Sequence, residues 1–150
     1  MSQSLANDIV HIVFSTKARE RFLYKKLRPE LYAYISGIFK NKKWLYYQIG
    51  GFEDHMHICC SLPKTISISD FIKEIKISTS IWLKTQDTSL TNFHWQTGYG
   101  LFSISPSHID SLCKYIINQE QHHATTSFKD EFLGLLCKYH VDYDEKYLWS

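Results

Sequence analysis

Ile9 to Ser15 (Ile-Val-His-Ile-Val-Phe-Ser) is short, β-branched and apolar on both parities, the pattern of a strand buried on both faces. A basic connector follows, Lys17-Ala-Arg19-Glu-Arg21. Arg28-Pro29-Glu30 then opens a helix with proline in its first turn, and Leu31, Tyr34, Ile35 and Ile38 recur at helical spacing to about Lys40. Trp44 to Ile49 predicts a second strand, and Gly50-Gly51 allows a turn or a close approach. The next strand, His55 onward, ends before Pro63. Ser67 or Ser69 is a suitable N-cap for a helix whose apolar stripe is Ile68, Phe71, Ile72, Ile75, Ile81 and Trp82. The second half of Phe93 to Ser105 predicts a fourth strand. Pro106-Ser107 starts a helix buried through Ile109, Leu112, Cys113 and Ile116, and Phe128 to Tyr139 predicts one more. The tail, Asp142 to Trp149, is strongly aromatic.

The order β-α-β-β-α-β followed by helices predicts an α+β fold of the ferredoxin-like (RRM-like) kind, a four-stranded antiparallel sheet with two helices on one face. The open face is left for the C-terminal helices, which would carry Tyr115 to the sheet. With 150 residues and neither repeats nor low-complexity linkers, residues 1–150 are expected to form one domain.

Composition narrows the function classes. A hydrophobic content of 44% excludes wholesale disorder. A net charge of +2 is too small to argue for nucleic acid, so any DNA contact must come from clustered basic groups. Cys59, Cys60, Cys113 and Cys137 have no CxxC spacing, and neighbours on a strand point apart; Cys60, Cys113 and Cys137 are expected to pack as small apolar residues. No signal peptide and no membrane-length apolar run is evident, so a reduced, cytoplasmic protein is expected.

The chemistry is concentrated in Asp54-His55-Met56-His57-Ile58. Alternate residues of a strand face opposite ways. His55 and His57 thus share one face, and Met56, Ile58 and Cys60 share the other. Two imidazoles need a third donor to hold a metal. In the later helix Tyr115-Ile-Ile-Asn-Gln119, positions i and i+4 project together, so the Gln119 amide oxygen and the Tyr115 hydroxyl form a second pair. Two imidazoles and an amide are all neutral. A dication held by them stays uncompensated, attracts an anion and polarises a phosphoryl oxygen. A phenol, with a pKa of about 10, ionises far more readily than an alcohol. These parts fit phosphodiester cleavage through a phosphotyrosine better than simple hydrolysis. Asp54 either orients an imidazole or begins the strand. His122-His123 reads as a solvated helix end rather than as further ligands, and His11, His94, His108 and His140 as structural residues. Lys17, Arg19 and Arg21 are candidate phosphate contacts or an exposed loop. Trp95 and Tyr99 either stack on unpaired bases or pack.

The joint pattern of Asp54-His-Met-His-Ile, Phe93-His-Trp-Gln-Thr-Gly-Tyr-Gly-Leu-Phe-Ser-Ile-Ser105 and Tyr115-Ile-Ile-Asn-Gln-Glu-Gln-His-His123, with Phe128 and Glu131 beyond, resembles the single-strand transposases of small bacterial insertion sequences. These are the IS200-like, TnpA-type enzymes of the HUH superfamily with one catalytic tyrosine. The resemblance runs from about residue 8 to Tyr147-Leu-Trp149. It implies that His55, His57 and Gln119 hold Mg²⁺ or Mn²⁺ and that Tyr115 is the nucleophile, leaving a 5′-phosphotyrosine and a free 3′-hydroxyl. It also implies a homodimer that recognises hairpins near element ends, with composite active sites in which the tyrosine helix is delivered to the partner subunit. DNA contacts by Lys17, Arg19, Arg21 and Trp95 are expectations of the local sequence.

Other classes remain: a non-enzymatic ferredoxin-like binder of single strands, a domesticated relative acting on palindromic repeats, and a metal-dependent hydrolase using water. A binder does not need the metal set, and a hydrolase does not need Tyr115.

Overall fold

The computed structural model describes residues 2–149. Strand β1 (Ile9–Ser15) is buried along its whole length, as a β-branched run covered on both faces must be. It is followed by α1 (Arg28–Lys42), β2 (Tyr46–Gly51), β3 (His55–Ser61), α2 (Ile68–Gln86) and β4 (Gly100–Ser103). Among the described residues α3 (Ile109–Ile117), α4 (Gln119–His122), α5 (Phe128–Lys138) and α6 (Glu145–Leu148) follow. The sheet order is β2-β3-β1-β4 and every pairing is antiparallel, which is the ferredoxin-like arrangement expected from the element order. The second strand begins two residues later than its apolar pattern predicted and includes both glycines.

Two layers of helix cover the two sheet faces. On one side Val10, Ile12, Phe14, Met56, Ile58 and Cys60 pack against Leu31, Ile35 and Phe39 of α1 and Phe71, Ile72 and Ile75 of α2. Each fully buried aliphatic or aromatic side chain there contributes about 1.5–3 kcal/mol. Ser67 caps α2, its hydroxyl accepting from the Asp70 backbone N–H. On the opposite side Ile9, Cys59 and Ile116 form one cluster. Val13 and Phe102 form another with Phe128, Phe132 and Leu136 of α5.

Trp95 belongs to the first layer and corrects an expectation. Its indole N–H donates to Thr79 Oγ1 at 2.9 Å, and its ring packs edge-on against Phe14 and Phe93. Only 9% of the residue is exposed, so it offers no ring face for a base to stack on. The burial gain of the indole and a satisfied N–H outweigh any advantage of exposing it. Cys137 is exposed on α5, not packed, while Cys113 is half-buried. No helix among the described residues is long and apolar enough to cross a membrane.

Candidate active site

The site lies on the sheet face covered by the C-terminal helices. β1 and β3 pair in antiparallel register, Val13 opposite His57 and His11 opposite Cys59, which places three imidazoles on that face. His55 and His57 are completely buried, and their ring centroids are 5.0 Å apart. His11 Nε2 lies 2.8 Å from His57 Nδ1, and Asp54 Oδ1 lies 2.7 Å from His55 Nδ1. Each strand histidine therefore has its Nδ1 engaged from behind and its Nε2 turned towards the helices. Asp54 orients His55, and His11 orients His57.

Helix α3 brings Tyr115, and Gln119 follows as the first residue of α4. Helix α3 can sit close to the sheet because position 50 is glycine: a Cβ there would lie 2.8 Å from the Ile116 carbonyl oxygen. Tyr115, beside Ile116, reaches a ring distance of 5.8 Å from His57. Gln119 is buried, and its Oε1 lies 2.9 Å from His55 Nε2. His55, His57, Tyr115 and Gln119 thus converge within one chain.

Two further residues enter the constellation. Glu131 of α5 places Oε1 3.3 Å from His55 Nε2 and 3.1 Å from His57 Nε2. Its Oε2 accepts from Gln119 Nε2 at 3.1 Å and from the Tyr115 hydroxyl. The side chain of His123 turns inward instead of ending a solvated helix, with 3% of it exposed, and its Nε2 is 2.9 Å from Gln119 Oε1 and 3.2 Å from Glu131 Oε1. The physical reason is the short α4, which turns the chain so that His123 stacks on Phe52 and faces His55. His11, read as structural, touches the site directly. The sequence carried a signal for Glu131: it occupies a position on the apolar stripe Phe128, Phe132, Leu136, where an unpaired carboxylate would be costly.

Burial lowers the pKa of His11 well below its ordinary value, an effect reinforced by His57. Burial likewise lowers His57, to about 4, against the pull of Glu131. Burial also opposes the charged form of His55, but hydrogen bonds to Asp54 and Glu131 prevail and raise it to about 9. For Glu131 burial favours the neutral acid, but the histidines around it hold the carboxyl far below its usual range. Tyr115 is raised by burial and by the adjacent Glu131 carboxylate. Without a cation, then, a protonated His55 and an ionised Glu131 form a buried pair. Two groups of donors lie close enough together to share one metal ion: His55, His57 and Glu131, and His122, His123 and Glu131.

The basic connector lies at the rim. Lys17 to Arg19 form a tight turn, and Arg19 and Arg21 line a cavity of about 320 Å³ with Phe52, Asp54, His123 and Ser127. The Arg19 guanidinium stacks over Trp149 at 4.8 Å, and Arg21 lies 3.5 Å from Glu53. Tyr99 is partly exposed on the far face of the sheet, near Lys76 of α2.

Residues 4–119 match the family described as "Transposase IS200 like". No curated protein matches the sequence. Among solved structures, one described as a candidate transposase from Deinococcus radiodurans is similar at 17% identity, with a TM-score of 0.61 over 79% of this chain and 96% of that one. A REP-associated tyrosine transposase bound to a REP hairpin is similar at 16% identity, with a TM-score of 0.59 over 84% of this chain and 76% of that one. At those identities the structures speak for the fold, and the family rests on the match that spans most of the chain: this protein belongs to the IS200-like transposases.

Proposed function

We propose that the protein cuts and rejoins single-stranded DNA through a covalent bond between Tyr115 and a 5′-phosphate, with a divalent cation held by His55, His57 and Gln119. The observation that supports this reading most directly is the convergence of the phenol, two Nε2 atoms and one amide oxygen inside a single buried cluster. The donor set fits a divalent cation. Both Nε2 atoms face the same point, and Asp54 and His11 occupy the rear nitrogens in the manner that fixes ligating imidazoles. When bound, a cation there polarises a phosphate oxygen and offsets charge on the departing one. Imidazoles by themselves favour zinc or copper, so Mg²⁺ or Mn²⁺ rests on the family and on availability.

Tyr115 is the nucleophile in this reading. Its oxygen bonds to phosphorus as the bond to the 3′-oxygen breaks, giving a 5′-phosphotyrosine and a 3′-hydroxyl. A different 3′-hydroxyl then attacks the same phosphorus and releases Tyr115. One phosphodiester replaces another, so no nucleotide cofactor is needed. Arg19 and Arg21 border the site and, with Lys17 of the same connector, would hold the flanking phosphates. The substrate is hairpin-bearing single-stranded DNA, in line with the hairpin bound by the similar REP-associated enzyme. Two strand ends must meet for joining, which calls for a homodimer. Exchange of α3 and α4 between its subunits would rebuild the same constellation as composite sites.

The test is incubation with Mg²⁺ and labelled single strands carrying the ends of its own locus. A denaturation-resistant complex that maps to Tyr115 and vanishes in Tyr115→Phe is expected. An adduct that persists in that variant, or cleavage without any adduct, rejects the reading.

A further inference from the structure

We infer that Glu131 is a bridging carboxylate: Oε1 is a fourth, anionic donor to the cation of this site, and Oε2 orients the Tyr115 hydroxyl. The inference rests on the metal-dependent reading given above. Glu131 stands beyond the last residue of the family match, Gln119, so the match assigns it nothing.

Three observations carry it. The first is convergence. The Nε2 atoms of His55 and His57 lie 3.3 and 3.1 Å from one and the same carboxylate oxygen, and the three ligand atoms are close enough to share an ion. The second is division of labour between the two oxygens. Oε1 faces the strand histidines, while Oε2 accepts from Gln119 Nε2 and from the Tyr115 hydroxyl. One side chain therefore touches both the predicted ligands and the predicted nucleophile. The third is rigidity. Phe128 stacks on His55 at 4.1 Å and 15°, and Phe132 and Leu136 pack on Val13 and Phe102, so α5 is fixed to the sheet on both sides of Glu131. Only 2% of the Glu131 side chain is exposed. A carboxylate that deep is strongly unfavourable unless paired, and a dication compensates it better than imidazoles do.

The consequence is electrostatic. With Glu131 the donors are two imidazoles, one amide and one carboxylate, so a bound dication retains one net positive charge. That set binds the cation more tightly than a neutral one and still attracts a phosphodiester. The carboxylate also selects the Tyr115 rotamer whose oxygen lies beside the ligands.

The experiment measures Mn²⁺ affinity of the full chain by the loss of the free-ion EPR signal, in the native protein, Glu131→Gln, Glu131→Asp and His57→Ala. Glu131→Gln is expected to weaken Mn²⁺ at least about tenfold, Glu131→Asp to recover part of the loss, and His57→Ala to lose binding. At saturating Mn²⁺ the DNA adduct of Glu131→Gln is expected to form more slowly. Native-like Mn²⁺ affinity in Glu131→Gln alongside loss in His57→Ala overturns the inference and leaves the metal site standing. So does tighter DNA binding with unchanged Mn²⁺ affinity, which would make Glu131 a mere occupant of the phosphate position. Equal binding by the native protein and His57→Ala overturns the metal reading and this inference together. Should Glu131→Gln fail to fold, Mn²⁺ broadening of carboxyl ¹³C resonances in the native protein decides: a broadened Glu131 signal supports the bridge, and a sharp one beside broadened histidines overturns it.

Discussion

His11 Nε2 sits 2.8 Å from His57 Nδ1 across the β1–β3 ladder, and their rings are nearly parallel. Burial holds both below their ordinary pKa, so the pair shares protons as two neutral imidazoles. A ligating His57 must keep Nε2 free of its proton, which puts the proton on Nδ1, where His11 receives it. His11→Phe removes that acceptor and keeps the ring volume roughly constant. Divalent-cation affinity is expected to fall about tenfold, measured by calorimetric titration with Mn²⁺, with little change in the far-ultraviolet circular dichroism.

Protonation of His55 gives the metal-free protein a distinctive pH profile. Its folded pKa, about 9, lies above its ordinary 6.5, so its contribution to stability is complete below about pH 6.5 and is lost as pH rises through 9. His57 has the opposite sign. Lowered to about 4, it contributes above pH 6.5 and loses that contribution as pH falls through 4. Melting temperature of the metal-free chain should therefore be highest near neutrality, and Asp54→Asn should flatten the alkaline limb. Cation binding competes with the His55 proton, so Mn²⁺ affinity should rise with pH between 6.5 and 9. A flat affinity over that range would contradict the assignment.

Gly50 sets the height of α3 above the sheet. A Cβ at this position would lie 2.7 Å from Ile116 Cγ2 and 2.8 Å from the Ile116 carbonyl oxygen, and the latter is backbone and cannot turn aside. Gly50→Ala should lift the helix, destabilise the fold by about 1–3 kcal/mol and slow adduct formation, because Tyr115 is the neighbouring residue. Urea unfolding and the rate of adduct formation, compared in one variant, check both parts.

Thr79 lies under Trp95 in the first core layer, accepting the indole N–H at 2.9 Å and donating to the Ile75 carbonyl at 2.8 Å. Thr79→Val keeps the shape and orphans the buried N–H. A loss of about 1–3 kcal/mol is expected, seen as a drop in melting temperature of about 2–4 °C per kcal/mol. Full adduct formation at low temperature should remain, since Trp95 is a core residue.

Local patterns in the chain were enough to foresee the sheet, its element order and the shared face of His55 and His57, because strand parity and helical spacing are short-range geometry. The same spacing paired Tyr115 with Gln119. Composition and spacing left Trp95 undecided between packing and stacking, and only the position of Thr79 placed it inside. Glu131, His123 and His11 were visible as residues but not as neighbours of one another. Their meeting depends on the β1–β3 register, on the turn at α4 and on the seating of α5 upon Val13 and Phe102. Those are contacts between segments far apart in the chain, and no periodicity within a segment encodes them. The amino-acid order by itself determined which groups could do chemistry and which face each would take; the tertiary structure decided which of them share one buried point, because burial makes any carboxylate or imidazole there find a partner.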